Sequence, residues 1–136
     1  MSDNNESRGP KAGDFSWNEL ITTDAKGAEV FYTKLFGWQA RPFSPQGAPA
    51  GGPPYTVFFT DPNSMGVGGM MACPAPGIPA HWHAYVIVKS VDDTLALTTR
   101  LGGKILTPAM DIPEVGRTAL IQDPQGAVIG LHQPPA

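Results

Sequence analysis

The stretch WNELITTDAKGAEVFYTKLFGW, residues 17–38, decides the fold, because a related stretch follows at a constant offset of 66 residues. The second copy, HAYVIVKSVDDTLALTTRLGGK, covers residues 83–104 and aligns without a gap. Its matches are Leu35 with Leu101, Gly37 with Gly103, Phe31 with Leu97, and Thr33-Lys34 with Thr99-Arg100. An internal repeat of this kind predicts two equivalent structural modules.

The repeat continues toward the end of each module. TVFFTDPNSMGVGGMMA, residues 56–72, resembles TALIQDPQGAVIGLHQ, residues 118–133. The matches are Asp61-Pro62 with Asp123-Pro124 and, after a two-residue insertion, Gly66 with Gly126 and Met70 with Gly130. The same ordered set of features therefore occurs twice along the chain.

Each module is predicted to contain a strand, a helix and then three strands. Alternating and β-rich stretches predict the strands, and Asp-Pro turns separate the last two. The predicted strands are 16–22, 39–43, 55–60, 67–72, 83–88, 105–107, 116–122 and 127–132. This order predicts an α+β fold of two βαβββ modules, whose curved mixed sheets surround a cleft with the helices outside.

Helix caps and apolar spacing support the two helices. Asp24 is a candidate cap for the first helix, and Ser90 with Asp93 resembles a capping box for the second. Gly37 and Gly102 stand where the helices are expected to end. The apolar stripes are predicted to be Ala28, Phe31 and Leu35 in the first helix, and Leu97 and Leu101 in the second, with Leu95 less regular.

Proline and glycine cluster in three segments, which are predicted to be loops. These segments are RPFSPQGAPAGGPPY at 41–55, CPAPGIPA at 73–80 and TPAMDIPEVG at 107–116. Residues 1–12 are expected to be a flexible tail. Residues 13–136 then form one domain, with module one at about 13–73 and module two at about 80–134.

Composition excludes several classes of function. The 136-residue chain has 41% hydrophobic residues, 15% charged residues and a formal net charge of −3. Without a basic block, nucleic acid and anionic membranes are not expected as partners. The single cysteine, Cys73, rules out an internal disulfide, and no segment has the length of a membrane span. We expect a cytoplasmic protein.

The repeated motifs resemble those of the vicinal oxygen chelate superfamily, which includes glyoxalase I, bleomycin-resistance proteins and extradiol dioxygenases. The resemblance rests on ELITTDAKGAEVFYTKLFGW, LGGKI and DPQGAVIGL, and it covers about Phe15 to His132. The chain is most similar to small bacterial glyoxalase-like members. The resemblance implies a pocket for a small organic molecule and a homodimer.

The resemblance also implies four places for metal ligands, on the first and last strand of each module. These places correspond to Trp17, Met70, His83 and Gly130. Among them only His83 is a suitable ligand, since Trp donates, Met is a soft thioether and Gly has no side chain. We therefore expect no metal at the usual positions and no cofactor. A divalent metal remains an alternative at a shifted site of Glu19, His83 and His132, with His81 as a further neighbour.

Individual site residues each have a structural and a functional interpretation. Glu19, in an apolar strand, is either a carboxylate hydrogen-bonded to Tyr85 or a histidine, or a general base. His83 is either a neutral, hydrogen-bonded imidazole or a ligand contact. His81 is expected to be a solvated residue at a strand start. Trp82 has the opposite parity and is expected to pack in the core.

The leading hypothesis is a small-molecule-binding protein with a degenerate metal site. The expected ligand-binding residues are Trp17, Glu19, Met70, His83, Tyr85 and His132, with Glu19 and His83 as the catalytic candidates. One alternative is a metal-dependent glyoxalase-like lyase or isomerase, or a dioxygenase-family enzyme, with a non-standard metal site. Another is a protein-interaction module that acts through the proline-rich loops.

Overall fold

A computed structural model of the chain describes residues 10–44, 54–73 and 76–136. The predicted tail, residues 1–12, and the first proline-rich loop lie largely outside these residues. The described elements are β1 (Phe15–Thr22), α1 (Ala25–Phe36), β2 (Gln39–Pro42), β3 (Tyr55–Phe59), β4 (Gly68–Ala72), β5 (His81–Ile87), α2 (Val91–Arg100), β6 (Lys104–Ile112), β7 (Gly116–Gln122) and β8 (Val128–Gln133). The predicted α+β fold with a repeated βαβββ order is confirmed.

The chain divides into two compact units. The N-terminal unit is residues 17–84, and the C-terminal unit is residues 85–136 together with the segment that ends at Ser16. Both boundaries fall inside strands, β1 and β5, rather than in the proline-rich loops. The single domain over residues 13–136 and its two module boundaries stay predictions.

The N-terminal unit contains a mixed sheet in the order β2-β3-β4-β1. The pairs β2/β3 and β3/β4 are antiparallel, and β4/β1 is parallel. Leu20, Phe58 and Met70 form a buried cluster, against which Tyr32 of α1 and Trp38 pack. Helix α1 therefore covers one face of this sheet.

The C-terminal unit repeats the arrangement in the order β5-β8-β7-β6. Its β5/β8 pair is parallel, and β8/β7 and β7/β6 are antiparallel. Val91 and Leu95 of α2 are buried against Ala119 and Leu131 of the sheet. The two sheets thus have the same connectivity, as the repeat predicts.

The predicted helix ends are confirmed. The Asp24 side chain accepts a hydrogen bond from the Gly27 amide, and the Ser90 hydroxyl accepts one from the Asp93 amide. Gly37 ends α1 with a φ of 74°, and Gly102 follows α2 with a φ of 93°. Positive φ is inexpensive for glycine, which explains these choices.

The predicted apolar stripes of the helices are right at Ala28, which packs against the buried cluster of its sheet, and wrong at their main positions. Phe31 and Leu35 of α1 and their repeat equivalents, Leu97 and Leu101, are exposed. In α1 the side chain that packs on the sheet is Tyr32. In α2 the side chain that is buried against the sheet is Leu95. A helix with apolar residues on two faces does not indicate from its spacing which face will meet the sheet.

The third predicted loop is also corrected, because Thr107–Ile112 belongs to β6. This strand pairs only with β7 in the unit's sheet order, and its register shifts around Thr107 and Met110. Pro108 is tolerated there, since an edge strand does not need every backbone N–H for pairing. Within the described residues, neither helix is long and apolar enough to cross a membrane. The cytoplasmic location stays a prediction.

Candidate functional site

A face of the N-terminal sheet brings together side chains from three strands. Glu19 of β1 lies beside Gly69 of β4, which lies beside Val57 of β3. Because side chains alternate along a strand, Trp17 shares the face of Glu19 and Tyr55 shares that of Val57. We call this surface, which is opposite to the Leu20 and Met70 cluster, the Glu19 face.

Tyr55 connects Trp17 to Glu19 through its hydroxyl group. The Trp17 indole Nε1–H donates to the Tyr55 hydroxyl over 2.9 Å, and that hydroxyl donates to Glu19 Oε2 over 2.8 Å. Burial and, next, the neighbouring Glu19 charge raise the pKa of Tyr55 well above its ordinary value. Tyr55 therefore acts here as a hydrogen-bond donor to the carboxylate.

Glu19 and His83 form a buried acid–base pair. Glu19 Oε1 lies 3.1 Å from His83 Nε2, and the two side chains are only 6% and 1% exposed. A carboxylate at this depth requires donors to offset the loss of hydration. Tyr55 supplies a donor to Oε2, and the His83 imidazole lies close to Oε1.

His81 extends the pair toward the surface. Its Nε2 lies 3.2 Å from His83 Nδ1, and its Nδ1 lies 2.8 Å from the Pro79 carbonyl oxygen. The expectation that His81 is only a solvated strand-start residue is therefore wrong. His81 and His83 share a face because they are two residues apart on β5.

Trp82 takes the opposite side of β5, as its parity predicts. Its indole N–H donates to the Tyr32 hydroxyl over 3.0 Å, and its ring packs edge-on against Trp38. It is 39% exposed, so the expectation that it packs in the core is wrong, although its ring joins the aromatic packing against α1.

The placement of Met70 on the Glu19 face is wrong. Met70 is 2% exposed and packs with Leu20 and Phe58 on the opposite side of the sheet. Glu19 pairs with Gly69, just as Tyr85 pairs with Gly130 in the other unit. The repeat alignment that matches Met70 with Gly130 is therefore wrong by one residue after the turn before β4. A shift of one residue along a strand moves a side chain to the other face of the sheet.

The two equivalent glycines, Gly69 and Gly130, each lie beneath an aromatic ring. A Cβ on Gly69 would overlap the Tyr55 hydroxyl, and one on Gly130 would overlap the Tyr85 ring. In either unit, a side chain at this position would have to displace a tyrosine side chain.

The described residues do not fit a metal of the kind the superfamily uses. After the register correction the four usual positions hold Trp17, Gly69, His83 and Gly130, of which only His83 can coordinate a metal. Across the described ranges, no three His, Cys, Asp or Glu side chains are grouped so as to hold a metal ion.

His132, the third candidate ligand of the shifted site, makes two contacts within the C-terminal unit. Within the C-terminal unit its Nδ1 lies 3.2 Å from the Ser16 hydroxyl, and its Nε2 lies 2.8 Å from the Val115 carbonyl oxygen. Because a carbonyl only accepts, Nε2 carries a proton toward Val115. Both ring nitrogens are thus engaged within the C-terminal unit.

Two residues of this hydrogen-bonded group were not predicted as ligand-binding residues. Tyr55 was not predicted at all, and His81 was expected to be a solvated residue or a neighbour of the shifted metal site. Tyr55 opens a strand directly after a proline-rich loop, where its partner was not apparent. The signal that could have identified it is the Gly68-Gly69 pair, since glycine inside a strand often marks a close approach. The structure brings Trp17, Glu19 and His83 together, whereas Tyr85 and His132 belong to the C-terminal unit.

Comparison with known proteins defines the family. The sequence model of the glyoxalase/bleomycin resistance protein/dioxygenase superfamily matches residues 15–131. The chain belongs to this superfamily. Its membership confirms the resemblance noted in the repeated motifs.

The superfamily relatives in sequence include two longer proteins. The chain is 36% identical over 124 residues to CFP32 of Mycobacterium tuberculosis, named as a candidate glyoxylase, and covers 45% of it. It is 33% identical over 131 residues to the anthracycline biosynthesis protein DnrV of Streptomyces peucetius, again covering 45%. These matches use 91% and 85% of this chain. The chain thus spans about half the length of the relatives it matches.

Solved structures share the fold at low sequence identity. Methylmalonyl-CoA epimerase from Mycobacterium tuberculosis aligns with a TM-score of 0.60 and 14% identity, covering 95% of this chain and 93% of that one. An extradiol ring-cleaving dioxygenase from B. fuscum aligns with a TM-score of 0.59 and 14% identity, covering 96% and 35%. At this identity the likeness establishes the superfamily fold alone.

Proposed function

We propose that this superfamily member binds a planar, partly aromatic organic molecule on the Glu19 face without a metal. The observation that supports this most directly is the buried Glu19–His83 pair, joined by Tyr55 to Trp17. Ligand sites commonly combine aromatic surface with a few fixed polar groups, and this face provides both. The roles of Tyr85 and His132 as ligand contacts stay predictions from the sequence.

The far end of the face suggests an anionic group on the ligand. Arg41 pairs with Val57, which pairs with Gly69, which pairs with Glu19, so all four lie in one row across the sheet. Three strand spacings separate Arg41 from Glu19, or about 14 Å. The Arg41 guanidinium lies 4.6 Å from the centre of the Phe59 ring. An acidic group on the ligand would be attracted to this guanidinium.

The names of the relatives agree with such a ligand. DnrV and the similar protein DauV of Streptomyces sp. are anthracycline biosynthesis proteins. An anthracycline is a planar fused-ring compound. Because the chain covers only 45% of these relatives, the ligand class enters here as a proposal for this chain.

Fluorescence with a fused-ring acid tests the binding site. We expect anthraquinone-2-sulfonate to quench tryptophan emission of the full chain and Trp17→Phe to remove most of the change. Trp38→Phe is the matched control, because Trp38 packs in the cluster on the opposite side of the sheet. Arg41→Gln is expected to weaken binding of the sulfonate about tenfold, the effect of losing one charge-assisted contact, and to leave neutral anthraquinone unaffected. Quenching that survives Trp17→Phe and disappears in Trp38→Phe would place the ligand elsewhere.

An enzyme is the second candidate, favoured by the same buried carboxylate and imidazole. A positioned Glu–His pair can move a proton to or from a bound ligand. The metal-dependent form of this hypothesis, a glyoxalase-like lyase or dioxygenase, lacks the ligand set among the described residues. Metal analysis of chelator-free protein tests it, and a stoichiometric ion whose removal abolishes turnover would restore it.

We also propose that two copies of the chain pair as a homodimer. Both helices carry exposed apolar side chains at equivalent repeat positions: Phe31 at 57%, Leu35 at 56%, Leu97 at 43% and Leu101 at 68%. A contiguous exposed apolar patch on a helix commonly marks an interaction surface. A second copy would also supply the length that the relatives have in one chain. The alternative of a protein-interaction module rests mainly on residues 45–53, which lie outside the described residues.

A further inference from the structure

The hydroxyl group of Tyr55 has a fixed polarity toward the rest of the Glu19 face. Its proton is donated to Glu19 Oε2 over 2.8 Å. A phenol carries a single O–H, so every other group that bonds to this oxygen has to be a donor. Tyr55 therefore presents a hydrogen-bond acceptor to the remainder of the face.

The indole of Trp17 supplies a donor to this acceptor within the chain. Its Nε1 lies 2.9 Å from the Tyr55 oxygen. At the far end of the indole, Cη2 lies beside Gly66, where a Cβ would come within 3.3 Å of it. Gly66 has a φ of 90°, which glycine adopts readily, so the backbone between β3 and β4 can approach the ring. A flat ring with one N–H thus fits between Tyr55 and Gly66.

The contact between these two side chains is accessible, unlike the carboxylate behind it. Trp17 and Tyr55 are half-buried, whereas Glu19 is 4% exposed. The Tyr55 hydroxyl lies where a side chain on Gly69 would otherwise be, over an inner strand of the unit's sheet. A molecule on this face can therefore reach the Tyr55 oxygen from the side that the indole occupies.

We propose that Tyr55 determines the specificity of the Glu19 face by selecting ring compounds that carry an O–H or N–H donor. The donor of the ligand takes the place of the Trp17 N–H on the Tyr55 oxygen. The favoured class is an acidic phenol or N–H heteroaromatic compound, with its acidic group toward Arg41. This specificity rests on the proposed function, because it concerns the ligand of the same face.

Ligands without a donor are disfavoured for two reasons. A ring that displaces the indole without replacing its N–H leaves the Tyr55 oxygen short of a partner, which is unfavourable in a half-buried place. A carbonyl or ether oxygen at the same position would face the lone pairs of Tyr55 and gain no hydrogen bond. Sites built around a specific hydrogen bond reject analogues that lack it more strongly than apolar pockets reject similar shapes.

Three naphthalene sulfonates that differ at one position test this specificity by isothermal titration calorimetry of the full chain at pH 7. They are 6-hydroxynaphthalene-2-sulfonate, which has a donor, 6-methoxynaphthalene-2-sulfonate, which has only an acceptor, and unsubstituted naphthalene-2-sulfonate. We expect the hydroxy compound to bind about threefold to tenfold more tightly than either of the others, the effect of one neutral hydrogen bond. The methoxy compound controls for the added size and should show no gain over the unsubstituted one.

Two variants should change this preference in opposite directions. Tyr55→Phe removes the acceptor, so the hydroxy and unsubstituted compounds should bind about equally. Trp17→Phe removes the competing N–H donor and should increase the preference for the hydroxy compound, which keeps the test available if Tyr55→Phe does not fold. Trp38→Phe is the matched control on the opposite side of the sheet and should keep the wild-type preference.

Equal affinities for the three compounds in the wild type, or a preference that survives Tyr55→Phe, would overturn the proposed specificity. A preference that decreases in Trp17→Phe would also overturn it, since the indole would then not compete with the ligand. Anthraquinone-2-sulfonate has no O–H or N–H, so its binding tests the face and not the role of Tyr55. Failure of every sulfonate to bind would overturn the proposed function itself, whereas equal binding of all three would overturn the specificity alone.

Discussion

Tyr55 is the residue whose role depends most on its surroundings. It occupies the space left by the absent side chain of Gly69, and it receives one hydrogen bond while donating another. A phenol at the surface would ionise near pH 10, but burial beside the Glu19 carboxylate opposes the phenolate. The hydroxyl proton is therefore retained over a wider pH range in the folded chain than in the unfolded chain.

This difference predicts a pH dependence of stability. The raised pKa of Tyr55 in the folded state contributes stability that is complete below the unfolded value of about 10 and falls as the pH rises above it. Tyr55→Phe should cost about 1–3 kcal/mol at pH 7, because it leaves Glu19 with one donor fewer. Between pH 9.5 and 11 the deficit of the variant should become smaller.

Urea unfolding of both chains at pH 7, 9.5 and 11 measures this deficit. All measurements are made at the same ionic strength. Other groups titrate in the wild type and in the variant alike, so their contributions cancel in the difference between the two free energies of unfolding. A constant deficit would show that the Tyr55 hydroxyl titrates equally in the folded and unfolded states, and a deficit that grows with pH would show that folding lowers its pKa.

At the scale of elements, the ends of the two helices and their buried faces depend on different contacts. Their ends follow local rules, as Asp24 and Ser90 show, because a side chain needs only to reach an amide three residues away. Their buried faces follow the sheet. Leu95 is 9% exposed, whereas Leu97, two residues later, is 43% exposed.

These two leucines give a matched pair of substitutions on one helix. Leu95→Ala should lower the free energy of unfolding by about 2–5 kcal/mol, because it leaves a cavity against Ala119 and Leu131. Leu97→Ala should change it by less than about 1 kcal/mol, since the side chain is already largely solvated. Urea denaturation of the two variants checks the order. Equal costs, or a larger cost at Leu97, would contradict the observed orientation of α2 or show that a partner covers Leu97.

At the scale of the whole molecule, the exposed apolar positions of both helices lead to the expected homodimer. Phe31 and Leu35 lie one turn apart on α1, so a double change to glutamate places two charges inside the proposed interface. We expect light scattering after gel filtration to give twice the chain mass for the wild type and the single-chain mass for the Phe31→Glu, Leu35→Glu variant.

Lys26→Glu is the control for that change, because it alters charge on the same helix at an exposed position nearly opposite to Leu35. It should remain a dimer. A wild-type chain that elutes as a monomer at micromolar concentration would refute the homodimer. Dissociation by the control as readily as by the double variant would place the interface on another surface.

The sequence by itself determined the fold class, the repeat, the helix caps and most strand positions, because these depend on neighbours along the chain. It also identified Glu19 and His83, since polar residues in apolar strands stand out without any knowledge of their partners. Only the tertiary structure decided that Gly69, and not Met70, is the equivalent of Gly130, because strand register depends on pairing between segments. The same holds for the contacts of Tyr55 and His81: hydrogen bonds between distant residues are set by how strands pack side by side, which periodicity within one strand does not record.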